Sequence, residues 1–431
     1  MAGLLEEDRW KAARVVVAGW GLISPLGLSA WETFTALCSG RMTVDRITKT
    51  AGALDAVQLV QRAGSVRVSW PSAVDPTVEL AERAAREAGL VAGMDLRGVM
   101  TFAGTSKGAV LALTLAADAL RQKLIVRARD CAAIDEAGFL NSVPINAQQA
   151  VALGPHGYLS FHLRRRLGLG PLEHSVAACA SGLTGLHRAR QWLSRSGNQL
   201  SSSKQINTAL VVSADSALLP LFVHSYRKLG VLASFEHGAI RNRPLDQDRS
   251  GFLLSECGAA IVLKRLAPGT KPRPGQIELV DTVAATDSHD LIRPSPRMRT
   301  LRRIAGAMFK RNEVSVIHPH APGTADHDPV ELQVYADVLA QGNCSPVDLY
   351  ANKGAVGHVL GASGLLSLVL ACVSLEAGKL PPMPWLNCPL KVDSKRLRFD
   401  AEGRDCDRRG THAVFAAGFG GHIAGALVRR H

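Results

Sequence analysis

The strongest constraint in this sequence is an alternation of strands and helices that runs once, is interrupted, and starts again. Arg14–Gly21 (RVVVAGWG) is a β-branched run closed by glycine, the pattern of a buried strand. The turn Ser24–Pro25–Leu26–Gly27 follows, and Ala30–Cys38 has helical spacing. Thr77–Ala88 reads as a further helix with Gly89 as its stop. Gly98–Ala103, Ser175–Ala178, Ala209–Ser213 and Ala259–Leu263 read as strands, and Gln191–Gln205 as an exposed loop. Pro268–Pro274 is rich in proline, glycine and lysine and reads as a linker or surface crossover. Beyond it the pattern restarts, with strands at Ile277–Ala284 and Val314–Ile317 and helices at Asp328–Leu339 and Gly361–Glu376. Strands at Ala413–Ala417 and Ile423–Val428 close the chain. Two halves of similar size, each alternating strand and helix, predict an α/β body with two related layers. No short repeat or low-complexity tract stands out.

Hydrophobic residues make up 47% of the 431 positions and charged residues 20%, which excludes a disordered chain and allows a large core. The longest apolar run, Leu365–Leu375, contains serines and falls short of the ~18 residues a membrane helix needs, so no membrane span is expected. The opening MAGLLEEDRWKAARV carries early acids and no apolar core segment, so a secretory signal is not expected and a cytoplasmic location is. The cysteines at 38, 131, 179, 257, 344, 372, 388 and 406 form no CxxC pair and read as reduced thiols. The net charge is +13, which favours an acidic partner. No zinc-finger spacing or RNA-binding aromatic motif is present, so no nucleic acid partner is expected. A solvated basic surface that aids solubility explains the charge equally well.

The sharpest local signal is Val176–Gly182 (VAACASG), where a strand ends in small residues, turns at Cys179 and becomes a helix. A sulfur at a helix N-terminus meets unpaired amides and a favourable dipole, which lower a thiol pKa and can hold an oxyanion. Taken alone, the segment fits a buried structural cysteine better than a nucleophile. His320, in His318–Thr324, and Lys353 and His358, in Lys353–His358, lie in glycine-rich strand-to-helix turns that can face a cleft. Imidazole donors and a fixed positive charge are the means to stabilise an enolate beside a thioester. The alternatives for either histidine are a surface loop residue or a metal ligand, since His318, His320, His327 and Asp328 crowd together. No metalloprotease-type helix motif is present, and no metal or other cofactor is expected.

Taken together, these segments resemble the thiolase-superfamily β-ketoacyl synthases, closest to the elongating 3-oxoacyl-[acyl-carrier-protein] synthases. RVVVAGWGLISPLG is similar to the family's opening strand and turn, and VAACASG to its nucleophile motif. Arg243–Asp246 with Arg249–Phe252 resembles R-P-F-D-x-x-R-D-G-F. His320–Thr324 stands where the family has H-G-T-G-T, with Asp328 and Glu331 at the downstream acids. NKGAVGHVLGASG is similar to K-x-x-x-G-H-x-x-G-A-x-G, and Gly418–Gly421 to the gating G-F-G-G. There are departures. Ala321–Pro322 replaces Gly-Thr, His327 a usual glycine, His422–Ile423 a common Thr-Asn, Ser367 a frequent glutamate, and Ser255–Glu256–Cys257 replaces Gly-Glu-Gly. The catalytic side chains are kept and the shell around them has drifted, which points to a specialised pathway such as polyketide or unusual-lipid synthesis.

The resemblance implies a five-layered αβαβα fold of two related halves, 1–267 carrying the nucleophile and 275–431 carrying the histidines and lysine. It implies a decarboxylative Claisen condensation between an acyl group on Cys179 and a malonyl group on an acyl carrier protein. Cys179 would be the nucleophile, His320 and His358 the donors to the enolate, and Lys353 their electrostatic support. The amides of Cys179 and Phe419 would form the oxyanion hole, Phe419 would gate the acyl pocket, and Thr324 and Gly420 would contact substrate. Asp246 and Arg249 read as an ion pair that braces the loop before Phe252. The partners implied are an acidic carrier protein, acyl and malonyl thioesters, and a second copy in a homodimer. Arg164, Arg165, Arg166, Arg302 and Arg303 are the docking candidates, with a solvated helix face as their alternative. Two other readings stay open: a non-elongating initiating or acyl-transfer enzyme, and a silent partner of the chain-length-factor kind.

Overall fold

The restart seen in the sequence is a repeated strand order. The computed structural model describes residues 13–47, 55–68, 75–129, 145–195, 207–236, 239–341 and 345–431. Its first half holds β1 (Val15–Ile23), β2 (Met100–Gly104), β3 (Leu172–Ser175), β4 (Thr208–Asp215) and β5 (Cys257–Arg265). The second holds β6 (Ile277–Thr286), β7 (Val316–His318), β8 (Val347–Leu349), β9 (Leu397–Arg398), β10 (Thr411–Gly418) and β11 (His422–Arg430). Across the sheet they run β9-β8-β7-β10-β11-β6-β1-β5-β4-β2-β3. Numbered within its own half and leaving out the short β9, each set of strands reads 3-2-4-5-1 outward-in. Each also repeats the same sense of pairing. The second strand is parallel to the third and fourth. The fourth to fifth and fifth to first pairings are antiparallel. The strands of the two halves pair where Val16 and Val17 of β1 meet Glu278 and Ile277 of β6.

Helices sit on both faces of each half, which is why a central strand such as β4 is buried at every position rather than at alternate ones. In β4, Leu210, Val212 and Ala214 face one core, while Ala209 and Val211 face the other. The outer layer of the first half is α1 (Pro76–Val91) with the helix Ile145–Leu167. Between the halves lie α2 (Ser181–Arg195) and α5 (Ser363–Ala377), which touch strands of both. α3 (Arg299–Arg311) and α4 (Asp328–Ala340) pack together in the second half. This is the five-layered αβαβα arrangement. By length and composition alone the 18 residues Leu360–Ala377 could cross a membrane, but 89% of that stretch is buried in the core of this fold.

Three boundaries differ from the sequence reading. Gly89 does not stop α1. A side chain there would come within 3.1 Å of Leu96 Cγ, so the glycine serves close packing and the helix runs on to Val91. The strand before Cys179 ends at Ser175 instead of Ala178, because Ala178 turns into the left-handed region. Gln191–Arg195 is the end of α2, with Leu193 buried, and not loop. The rest of that predicted loop, through Gln205, lies outside the described residues, as do Cys131 and Cys344.

Candidate active site

Cys179 lies in a turn that the backbone reaches at some cost. Ala178 has φ +47°, a conformation that L side chains disfavour by about 1–2 kcal/mol. The turn is held from within: Ala177 N–H donates to Ser181 Oγ at 2.9 Å, and that hydroxyl donates to Ala178 C=O at 2.7 Å. Ala178–Ala180 form one 3₁₀ turn and α2 starts at Ser181, so the cysteine stands at a helix N-terminus.

The second half builds the same turn. Leu360 also has φ +47°, Leu360–Ala362 form a 3₁₀ turn, and α5 starts at Ser363. Ala180–Leu183 and Ala362–Leu365 both read ASGL. The two turns touch reciprocally. A side chain at Gly182 would come within 3.0 Å of Leu365 Cβ, and one at Gly364 within 2.6 Å of Leu183 Cγ. The counterpart of Cys179 is Gly361, where a Cβ would sit 2.7 Å from Asp215 Oδ2. Asp215, at the end of β4, accepts from Gly361 N–H at 2.8 Å, Thr105 Oγ1 at 2.7 Å, and the amides of Ser106 and Lys107 at 2.9 Å each. It pins the two halves together directly behind the nucleophile turn.

His320 follows β7 and His358 lies in the turn between β8 and α5. Their ring centroids are 5.4 Å apart at 79°. Both line, with Cys179, Thr324, His327 and Phe419, one cavity of about 380 Å³. Leu360 N–H donates to His358 Nδ1 at 3.0 Å, and the Ser363 hydroxyl lies 3.1 Å from the same nitrogen. His320 is positioned through its backbone: its N–H donates to Glu331 Oε1 at 2.7 Å, and its carbonyl accepts from Lys353 Nζ. Its Nδ1 is buried with no protein partner. Lys353 is buried behind the histidines and does not line the cavity.

Burial, reinforced by the Lys353 charge, holds both imidazoles well below the ordinary histidine range, so both are neutral. Burial also lowers Lys353 to about 8. The thiol corrects the sequence reading. The helix N-terminus was expected to lower its pKa, but burial raises it to about 12, with Lys353 pulling only partly the other way. Desolvation of the half-buried sulfur at the cavity wall outweighs the pull of the Lys353 charge. The resting group is a thiol, poised beside two neutral imidazoles and a lysine.

Phe419 follows β10, 6.5 Å from the Tyr226 ring. Its neighbour Gly418 lies so close that a side chain there would come within 2.8 Å of Cys179 N. The loop is clasped from outside. Gly420 N–H donates to Leu291 C=O and Asp287 N–H to Gly421 C=O, each at 2.7 Å. Gly420 therefore holds the loop and does not line the cavity, contrary to the expected substrate contact. Thr324 does line it.

Two family models cover the chain: the β-ketoacyl synthase N-terminal domain matches residues 12–268 and the C-terminal domain residues 282–387. The chain belongs to the β-ketoacyl synthase family. Among its relatives is a putative mitochondrial 3-oxoacyl-[acyl-carrier-protein] synthase of Schizosaccharomyces pombe, 26% identical over 58% of this chain and 60% of that one. Another is 3-oxoacyl-[acyl-carrier-protein] synthase 2 of Coxiella burnetii, 24% identical over 86% of this chain and 87% of the other. The chain spans only 11% of the Aspergillus terreus highly reducing polyketide synthase valA, at 26% identity. A solved β-ketoacyl synthase from Burkholderia phymatum superposes with a TM-score of 0.74 at 21% identity, covering 97% of this chain and all of that one. A type II polyketide ketosynthase solved in complex with its acyl-carrier protein gives the same TM-score at 18% identity, with the same coverage.

In this chain, Asp246 and Arg249 brace their loop, but not as an ion pair. The Asp246 carboxylate accepts from the amides of Asp248, Asn387 and Cys388 at 2.7–2.9 Å. The Arg249 guanidinium donates to the carbonyls of Asp246, Thr324 and Ala325. A carboxylate surrounded by amides and a guanidinium surrounded by carbonyls are each satisfied without the other. Of the five docking arginines, Arg166 is paired with Glu79 and Glu82, and Arg302 with Asp337. Arg164 Nε donates to the Leu169 carbonyl. Arg165 and Arg303 are exposed. The crowded histidines diverge: His318 faces His412 and Tyr350, away from the cavity that His320 and His327 line. Among the described residues no group of three or more His, Cys, Asp or Glu is placed to hold a metal ion. Sequence reading did not find Asp215, which makes its contacts more than a hundred positions away, nor the clasp of Asp287 and Leu291.

Proposed function

We propose that this β-ketoacyl synthase performs a decarboxylative Claisen condensation, extending an acyl thioester by two carbons from malonyl-acyl carrier protein. The observation that carries the reading is the convergence of Cys179, His320 and His358 on one cavity, with Lys353 buried behind them. The Cys179 thiol loses its proton and attacks an acyl thioester. A new C–S bond forms to the cysteine and the carrier thiol leaves. The malonyl thioester then binds with its carbonyl oxygen toward His320 and His358. Its bond to the carboxylate breaks, carbon dioxide leaves, and the electron pair becomes an enolate stabilised by the imidazole donors. The enolate carbon attacks the acyl-cysteine, a C–C bond forms, and the Cys179 sulfur leaves. The amides of Cys179 and Phe419 serve the oxyanion of both acyl-transfer steps.

The carrier docks at the cavity mouth. Exposed Arg227 and Lys228 end the helix whose Tyr226 lines the cavity, and Arg293 lines it from the opposite segment. Exposed Leu229, Leu291 and Ile292 lie among these charges, suited to an acidic, amphipathic partner. We assign the two halves as 1–267 and 275–431, following the repeated strand order. The enzyme is a homodimer that pairs along β3, which ends the sheet. Beside that edge, Nε2 of His156 and of His174 are buried without a protein partner.

The test is mass spectrometry of acyl-carrier and malonyl-carrier incubated with purified protein. A 3-oxoacyl-carrier two carbons longer is expected. Acylation of Cys179 without extension would leave only the acyl-transfer reading.

A further inference from the structure

The substitution at position 327 places a third imidazole in the site. His327 lines the same cavity as Cys179, His320 and His358, and its ring centroid is 5.0 Å from that of His320. It is 8% exposed. Its Nε2 sits 3.3 Å from Glu331 Oε2, an ion-pair distance, but off the line of a hydrogen bond, so that nitrogen has no hydrogen-bond partner in the protein. Glu331 is fixed by other groups: the amides of His320 and Ala321 and the Tyr335 hydroxyl donate to it, each at 2.7 Å. The carboxylate that sets the His320 backbone therefore also anchors the His327 ring. His320 Nδ1, on the adjacent ring, is likewise buried and unpartnered. Held by Glu331 on its Nε2 side, the His327 ring presents its other edge to a cavity that also holds a nucleophile, where a polar ligand group can meet it.

We propose that His327 binds the carboxylate of the malonyl extender. The ring stands between two carboxylates, that of Glu331 and that of the substrate. Asp328, His320 and His358 also face it and set the local field. The contact exists only before carbon dioxide leaves. Held alike in bound substrate and in the transition state for loss of carbon dioxide, it marks KM and not kcat. The proposal rests on the condensation reading above, and it makes this position a selector for extenders that carry an acid.

The experiment measures malonyl-carrier decarboxylation and acetyl-carrier loading of Cys179 in the full chain. Acetyl-carrier uses the same channel and lacks the carboxylate. His327→Ala is expected to raise KM for malonyl-carrier about tenfold, with kcat within about threefold and acetyl loading within about twofold of the unsubstituted chain. His327→Gln keeps a donor and most of the volume, and is expected to raise KM for malonyl-carrier about threefold. It carries the test if the alanine variant does not fold. An unchanged malonyl KM in a folded variant overturns the proposal. So does an equal rise for malonyl-carrier and acetyl-carrier, which would make His327 only a channel wall. Failure of the unsubstituted protein to decarboxylate malonyl-carrier would instead remove the condensation reading itself.

Discussion

The backbone amide of Leu360 donates to Nδ1 of His358 at 3.0 Å. A ring nitrogen that accepts carries no proton, so the neutral imidazole holds its proton on Nε2 and has one donor left for substrate. The strained turn at Leu360 thus decides the tautomer of a residue two positions earlier. His358→Ala is expected to lower kcat for malonyl-carrier decarboxylation by about 10²–10³, the usual loss for one oxyanion donor. His358→Gln, whose amide can place an N–H near the same point, should keep about tenfold more activity than the alanine variant. Equal rates for the two variants would show that the donor is not what His358 supplies.

Burial raises the Cys179 thiol to about 12, so the resting enzyme holds little thiolate at neutral pH. Alkylation of Cys179 by a neutral reagent should therefore rise about tenfold per pH unit from pH 7 upward. The slope should ease above about 8, where Lys353 loses the charge that favours the thiolate. A rate that reaches its plateau below pH 8 would mean that the helix terminus outweighs burial.

Gly421 has φ +75°, and a Cβ there would sit 1.7 Å from the Asp287 carbonyl oxygen. Gly421→Ala must open the clasp on the gating loop, with strain of about 1–3 kcal/mol. Acyl loading should fall at least about tenfold while thermal unfolding shifts by only a few degrees, because the clasp lies at the surface and not in the core. Unchanged loading kinetics would separate the clasp from gating.

The residues gathered at the site were legible because each sits in a short glycine-bounded turn at a strand end. Cys179, His320, His358 and Phe419 all do, and all four line one cavity. The alternation of strands and helices likewise revealed two halves. Their identical strand order was not legible, since pairing joins residues such as Ala103 and Val212 across long stretches of chain. The repeat does leave one trace in the sequence: ASGL occurs at both Ala180–Leu183 and Ala362–Leu365, at the start of the two central helices. Thiol acidity was misjudged for a physical reason. Sequence shows a helix end, but not how much protein surrounds the sulfur.

Acid should destabilise the fold. His318 is lowered to about 3 by burial, and burial also holds His320, His358 and His412 well below the ordinary range. A histidine lowered on folding adds stability that is present above its unfolded pKa of about 6.5 and is lost as pH falls toward the folded value. At pH 5.5 each such group costs about 1 kcal/mol relative to neutral pH. Asp215 and Asp328 act in the opposite sense. Burial raises both to about 6, so they add stability at low pH that is lost as pH rises through that value. With His156, His162, His174 and His187 also lowered, and Asp75, Glu87 and Glu256 also raised, eight imidazoles oppose five carboxylates, so the urea midpoint should be lower at pH 5.5 than at pH 7.5. An unchanged or higher midpoint would contradict the buried neutral state of these histidines.

The central claim is that Cys179 carries the acyl group, and intact-protein mass spectrometry after incubation with acyl-carrier tests it most directly. The wild-type protein should gain the mass of one acyl group less one proton, located to the peptide that contains Cys179. Cys179→Ala should gain nothing while keeping its thermal unfolding temperature within a few degrees. An acyl adduct of equal extent on the alanine variant would contradict the account.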